Sequence, residues 1–231
     1  MSRRNKLLKF SENLSLPNVY ENFHVLDSKL LGAGGEEVDI RGRWAERAFG
    51  NSNPLTVELA CGRGEYSLGL ARRDPARNFL GVDIKGARIW RGAKNALEEG
   101  LENVSFLRTR IEQLEKFFHP KEISEIWITF PDPFLKERKA NRRLTSTRFQ
   151  NIYRNLIGKD GVLHLKTDEP VLYEYTLDVL ESNSMYEIRI ANDDIYSGPL
   201  VSAELEIQTY YERMHLEAGK TIKYIQWVFR E

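Results

Sequence analysis

The sequence predicts an α/β protein: a doubly wound, mostly parallel seven-stranded sheet with helices on both faces, an antiparallel edge strand and an N-terminal arm. Three observations predict it. From Leu55 onward, short apolar runs alternate with segments of helical length, the pattern of strand–helix–strand units. Glycines and acids fall where apolar runs end, as at Gly62, Gly64 and Asp83. The last two apolar runs are separated only by a loop and a short helix, which lets them pair antiparallel.

Residues 1–40 are polar and mixed, and read as an arm with short helical pieces and a flexible break at Gly32, Gly34 and Gly35. Residues 41–231 read as one domain. Strands are expected at Leu55–Leu59, Phe79–Val82, Val104–Leu107, Glu125–Phe130, Val162–Lys166, Tyr186–Ala191 and Thr221–Phe229. Helices are expected at Glu65–Arg73, Gly86–Glu99, Ile111–Phe117, Ser146–Leu156 and Val171–Ser182. Two long connections, a basic one at 131–143 and an acidic one at 192–204, are the places where function concentrates.

With 231 residues, 41% of them apolar and 29% charged, the chain can bury a core without staples. Its formal net charge is zero, so nucleic-acid binding would need a local patch. Two basic segments stand out: Arg3, Arg4, Lys6 and Lys9, and the span from Lys136 to Arg148. Acids gather at Glu98–Glu102 and Asp193–Glu206. Cys61 stands alone, which excludes an internal disulfide and a cysteine zinc site and fits a reducing cytoplasm. His24, His119, His164 and His215 lack metal-ligand spacing, so no metal is expected. The N-terminus lacks the apolar stretch of a signal peptide, and no run reaches bilayer-spanning length.

The first strand runs into Glu58-Leu59-Ala60-Cys61-Gly62-Arg63-Gly64. Glycine at such a turn lets backbone approach a ligand closely, though many turns use it for sterics alone. A dinucleotide fingerprint would continue with glycine at 67, where Ser67 stands, and this weakens a pyrophosphate reading. Asp83, ending the second strand, can accept both ribose hydroxyls. An acid at Glu58 opposes a phosphate and favours a cation. S-adenosylmethionine carries a ribose, a sulfonium, an amino group and no phosphate, so Glu58 with Asp83 prefers it to NAD. The plainer alternatives are a hydrogen-bonded structural acid at Glu58 and a helix cap at Asp83.

The fourth strand ends in Phe130-Pro131-Asp132-Pro133-Phe134-Leu135-Lys136. Two prolines stiffen the backbone around Asp132, and loops after strand ends line the crevice of a doubly wound sheet, so Asp132 is expected to face the cofactor. Lys136, Arg138, Lys139, Arg142, Arg143 and Arg148 follow. Cations in this number can neutralise phosphates, although a solvated face explains Lys139 and Arg148 equally well. Asp168 ends the next strand beside Pro170, where it could also cap a helix. Thr209 and Glu212 are spaced either to read a base edge from one helical face or to form a capping box.

Together these segments resemble the bacterial tRNA (guanine-N7)-methyltransferase family from about residue 40 onward. The matching pieces are the glycine turn after Glu58, the acid Asp83, the Phe130-to-Arg138 run with Arg142 and Arg143, Thr167-Asp168, and Thr209, Tyr211 and Glu212. Ala60 stands where the family usually has its first glycine, and Phe134 replaces a tryptophan. Lys139 and Asn141 stand in place of a histidine and a basic residue. Arg110 stands where an aspartate commonly meets the adenine end of the cofactor, so that contact passes to the backbone.

The resemblance implies a Rossmann-like class I methyltransferase domain over residues 41–231, working in the cytoplasm as a monomer or homodimer. It implies transfer of a methyl group from S-adenosylmethionine to N7 of guanosine 46 in the tRNA variable loop. Asp132 is then the catalytic residue. Glu58, Gly62, Gly64, Asp83, Arg110 and Asp132 would hold the cofactor. Lys136, Asp168, Thr209, Glu212, Arg142 and Arg143 would hold the tRNA. Guanine N7 carries a lone pair and no proton, so in-line attack needs no general base, and Asp132 is expected to position groups and stabilise charge. Two other readings remain: a methyltransferase of the same fold acting on another RNA, a protein or a small molecule, and a non-catalytic RNA-binding subunit.

Overall fold

The computed structural model describes residues 3–22 and 27–230, with side chains described from residue 8. His24 and the side chains of Arg3, Arg4 and Lys6 therefore lie outside the described residues. The strands are β1 (Val19–Glu21), β2 (Leu55–Leu59), β3 (Asn78–Asp83), β4 (Val104–Arg108), β5 (Ile123–Thr129), β6 (Ile157–Thr167), β7 (Tyr186–Asn192) and β8 (Lys223–Phe229). The helices are α1 (Arg3–Asn13), α2 (Trp44–Phe49), α3 (Glu65–Arg73), α4 (Gly86–Glu98), α5 (Leu114–Phe117), α6 (Thr147–Leu156), α7 (Pro170–Glu181) and α8 (Tyr210–Glu217).

The strands form one sheet in the order β1-β4-β3-β2-β5-β6-β8-β7. It has eight strands where seven were expected. The additional one is β1, which pairs in parallel with β4 through Val19↔Phe106 and Glu21↔Arg108. The arm is thus part of the sheet, and a three-residue strand is too short to show a period in sequence. The break at Gly32–Gly35 is tied down as well: Gly34 donates to the Leu14 carbonyl, and Leu31 bridges to Glu21 and Glu37. At the other edge β8 runs antiparallel to both β6 and β7, with β7 outermost.

From β2 the chain moves outward through β3 and β4, then returns to β5 on the opposite side of β2. This reversal opens a crevice beyond the carboxyl ends of β2 and β5, the place where doubly wound sheets bind ligands.

Both faces of the sheet carry an apolar core, and one of them, with Phe79, Phe106, Trp127 and Tyr224, also takes in polar residues. Leu55, Val57 and Leu59 of β2, with Ile126 and Ile128 of β5 and Leu163 and Leu165 of β6, join an apolar core with Trp44, Phe118, Tyr153 and Leu172. The intervening residues point to the other face and include Thr56, Glu58, Thr129, His164 and Lys166, all buried. Polar groups inside a sheet need partners. Here each has them: His164 Nδ1 lies 2.7 Å from the Tyr224 hydroxyl, and Thr56 donates to Glu125 at 3.0 Å.

One phenyl ring explains three glycines. Phe106 is fully buried, and a Cβ at Gly64, Gly81 or Gly92 would come within 2.4, 2.8 or 2.8 Å of it. Gly64 also has φ +68°, which disfavours any side chain. We expect Gly64→Ala to destabilise the fold by about 3 kcal/mol or more, from clash plus backbone strain. Gly62→Ala, whose Cβ would meet nothing nearer than the Ala60 carbonyl at 4.0 Å, should cost only about 1 kcal/mol. Thermal melts of the two variants check the contrast.

Candidate active site

The crevice holds a cavity of about 390 Å³ lined by the β2–α3 turn, the end of β5, the first turns of α4 and the start of α8. The β2–α3 turn is built from left-handed residues: Ala60 at φ 57°, Gly62 at 59° and Gly64 at 68°. Gly64 N–H closes the turn onto the Cys61 carbonyl at 2.8 Å. Asp83 stabilises it from β3, accepting the Gly62 N–H at 3.0 Å through one oxygen and the Lys85 N–H at 2.8 Å through the other. Asp83 is buried and lies behind the turn, where it fixes Gly62; the helix cap position belongs to Lys85.

Glu58 lines the cavity yet is only 2% exposed. Its carboxylate accepts Ser67 N–H at 2.9 Å, Ser67 Oγ–H at 2.5 Å and Thr129 Oγ1–H at 2.6 Å. Burial pushes its pKa up to about 7 despite these hydrogen bonds, and the nearby Asp83 charge adds to the rise. A carboxyl poised at neutrality beside a cavity becomes ionised when a cation enters. Burial also pushes the neighbouring Cys61 thiol well above its usual range.

Asp132 lies on an exposed, rigid loop. Phe130 (φ 46°) and Phe134 (φ 42°) flank it in the left-handed region, each costing about 1–3 kcal/mol. Asp132 Oδ1 accepts the Phe134 N–H at 3.1 Å. Arg143 clamps the far side, donating Nε–H to the Pro133 carbonyl at 3.0 Å and Nη2–H to the Phe134 carbonyl at 3.2 Å, with its guanidinium 4.3 Å from the Tyr175 ring. Arg143 was expected on the RNA; at 4% exposed, it is spent on shaping the loop instead. Lys136 and Arg142 are exposed on the same loop, and Arg110 is exposed beyond β4.

Glu212 departs furthest from expectation. It is fully buried, with Lys166 Nζ at 2.7 Å and the Tyr196 hydroxyl donating to it at 2.7 Å, so it reads no base edge in this structure. Lys166 also donates to the Leu205 and Ile207 carbonyls, at 2.9 and 3.0 Å. Burial pulls the Lys166 pKa down, and Glu212 opposes that pull. Thr209 caps α8 by accepting the Glu212 N–H at 3.2 Å, while its residue still lines the cavity. Asp168 is paired with Lys220 Nζ at 2.5 Å and His215 Nδ1 at 3.4 Å, and the cap of α7 is Glu169.

Of the expected site residues, Glu58, Gly62 and Thr209 line the cavity itself. Asp83 fixes the turn at Gly62 and Gly64 packs on Phe106, whereas Asp132, expected to face the cofactor, is exposed and is not among the lining residues. Residues not anticipated as site members also line it: Lys9, Arg63, Glu65, Arg88, Arg91, Thr129, Tyr210 and Tyr211. Glu65 positions α8, accepting the Tyr210 N–H at 2.6 Å. Among the described residues, no group of three or more His, Cys, Asp or Glu is placed to hold a metal ion, and no helix is long and apolar enough to cross a membrane.

A doubly wound sheet, a glycine turn after a buried acid and a cavity at the switch point define a protein of the Rossmann-like methyltransferase class. Solved structures of that class share the fold. The 16S rRNA methyltransferase KamB superimposes with a TM-score of 0.62 over 86% of this chain and 98% of its own, at 11% identity. A family described as "Putative methyltransferase" matches residues 52–225. The tRNA (guanine-N(7)-)-methyltransferase of Christiangramia forsetii is 46% identical over 98% of this chain and 99% of its own length. That of Porphyromonas gingivalis is 51% identical over 92% and 85%. The chain belongs to the tRNA (guanine-N7)-methyltransferase family.

Proposed function

We propose that the protein transfers a methyl group from S-adenosylmethionine to N7 of a guanosine in tRNA, at position 46 of the variable loop, in the cytoplasm. The observation that carries this reading is the buried Glu58 at the cavity, joined to relatives of that activity over nearly the whole chain. At Glu58 the cavity suits the cationic part of a ligand. Its buried carboxyl is poised to ionise, and the direction a Cβ would take at Gly62 is open. Glu58, Gly62 and the turn fixed by Asp83 would hold the cofactor, with Arg110 at its adenine end. When bound, S-adenosylmethionine supplies an electrophilic methyl group.

The chain's own contribution is placement and charge. Guanine N7 is the nucleophile and has no proton to lose, so no residue has to remove one. Asp132, fixed by two prolines, two left-handed phenylalanines and the Arg143 clamp, stabilises the positive charge that alkylation puts on the purine. Asp168 offers acceptors for the guanine N1–H and N2 amino group once Lys220 and His215 yield to the base. Lys136 and Arg142 meet the RNA backbone, and Thr209 with Glu212 shapes the wall beside the base. Labelled methyl transfer to bulk tRNA tests the reading. Lys136→Ala should raise the KM for tRNA severalfold and leave cofactor affinity unchanged; an unaltered KM at moderate salt would remove Lys136 from the interface.

A further inference from the structure

Several arginines on the same half of the sheet find acids. Arg72 pairs with Glu99 at 2.7 Å, Arg73 with Glu206 at 2.7 Å, Arg77 with Glu125 at 3.0 Å and Arg108 with Glu21 at 3.5 Å. Four cations lining the cavity do not. Lys9, Arg63, Arg88 and Arg91 make no ion pair among the described residues. Three of them rest on aromatic rings instead. Lys9 Nζ stands 4.2 Å from the Trp90 ring, the Arg91 guanidinium 5.4 Å from the same ring, and the Arg63 guanidinium 5.8 Å from Tyr210. A ring holds a cation in place without neutralising it. The cavity's acids, Glu58 and Glu65, lie on β2 and at the start of α3, so the α1–α4 side, with Lys9, Arg88 and Arg91, favours anions.

The N-terminal arm builds this rim. Helix α1 docks on α4, where a Cβ at Gly86 would meet the Phe10 ring at 2.7 Å. Asn13 donates to the Gly86 carbonyl at 3.1 Å, Asn18 to the Ala93 carbonyl at 3.1 Å, and the Trp90 indole to Glu12 at 2.6 Å. This docking carries Lys9 to the cavity. The rim lies on the β3 side of β2, whereas Lys136, Arg138 and Arg142 follow β5 on the other side.

We infer that α1 and α4, with Arg63, form a second RNA-binding rim that grips backbone phosphates across the cavity from the Pro-Asp-Pro loop. A base drawn into the cavity has backbone leaving on both sides, and unpaired cations stand on both. A single cofactor carboxylate would occupy one guanidinium and leave the others unmatched. The inference rests on RNA being the substrate.

The test is the double variant Lys9→Ala/Arg91→Ala, with the charge-keeping Lys9→Arg/Arg91→Lys beside it. Binding of unmodified tRNA is measured over a range of salt, cofactor affinity by calorimetry, and folding by thermal melt. Removing two phosphate contacts should weaken tRNA binding roughly tenfold at physiological salt and reduce the log–log salt slope by about 1.4 to 1.8. The loss should fall more heavily on tRNA binding than on cofactor affinity, and the charge-keeping pair should restore the slope. An unchanged slope in a folded double variant overturns the rim, as does lost cofactor affinity with tRNA binding intact. If the charge-keeping pair folds but fails to restore the slope, the rim is also overturned. A wild-type protein that methylates no tRNA overturns the functional reading and the rim together, whereas active wild type with an unaffected double variant overturns the rim alone.

Discussion

Asp132→Asn should lower methyl transfer to tRNA by about a hundredfold or more and leave the fold and its melting temperature in place. The side chain is exposed, so the change removes no core contact. Asparagine keeps the oxygen that accepts the Phe134 N–H, and the Arg143 clamp on Pro133 and Phe134 does not involve residue 132. Loop shape is preserved, and only the negative charge is lost. If charge stabilisation at the purine is its role, kcat falls and the KM for tRNA moves little. A wild-type kcat in this variant would remove Asp132 from the reaction.

Glu58→Gln should produce the second large effect, with its signature in pH. The folded pKa of about 7 stands above the ordinary 4.5, so between those values the ligand-free fold holds a proton that the unfolded chain has released. That linkage favours the ligand-free fold below pH 4.5 and is lost as pH rises to 7. It amounts to a cost of roughly 3 kcal/mol above pH 7, at ~1.4 kcal/mol per pH unit. Glutamine escapes the cost, so ligand-free Glu58→Gln should melt higher than wild type at pH 8 and equally at pH 5. Cofactor affinity should move the other way. Wild-type affinity should rise with pH up to about 7 as Glu58 ionises against the cation. The variant should bind about ten- to a hundredfold more weakly at pH 8, with that pH dependence gone. Equal affinity in both proteins at pH 8 would reduce Glu58 to a structural acid.

Local pattern made most of the fold legible. Strand β2 and helix α3 begin and end where alternation and the glycine turn place them, and β3, β4 and α4 differ by a residue or so at their ends. Strand β1 escaped, and α1 was foreseen only as a helical piece of the arm without its seat, because that seat is tertiary: Phe10 and Asn13 pack α1 on the glycine that opens α4. In the site, Glu58 was legible as an acid before a glycine turn, while Asp132, the acid between prolines, stands on an exposed loop outside the cavity lining. Arg143 and Glu212 were not, since a sequence shows a charge without its partner. Lys166 arrives at Glu212 from the middle of the sheet, and the Arg143 acceptors are backbone carbonyls. A usable signal was present in the polar residues alternating through the buried strands, Thr56 with Glu58 and His164 with Lys166. In a sheet covered on both faces, such residues mark a polar network.

Methylation of one guanosine at N7 is tested most directly by incubating the protein with S-adenosylmethionine and a single unmodified tRNA transcript, cleaving the strand chemically at 7-methylguanosine and mapping the break. One cut is expected, at guanosine 46 of the variable loop, dependent on both enzyme and methyl donor. Methyl label retained in the RNA without any cut, or no incorporation at all, would contradict it.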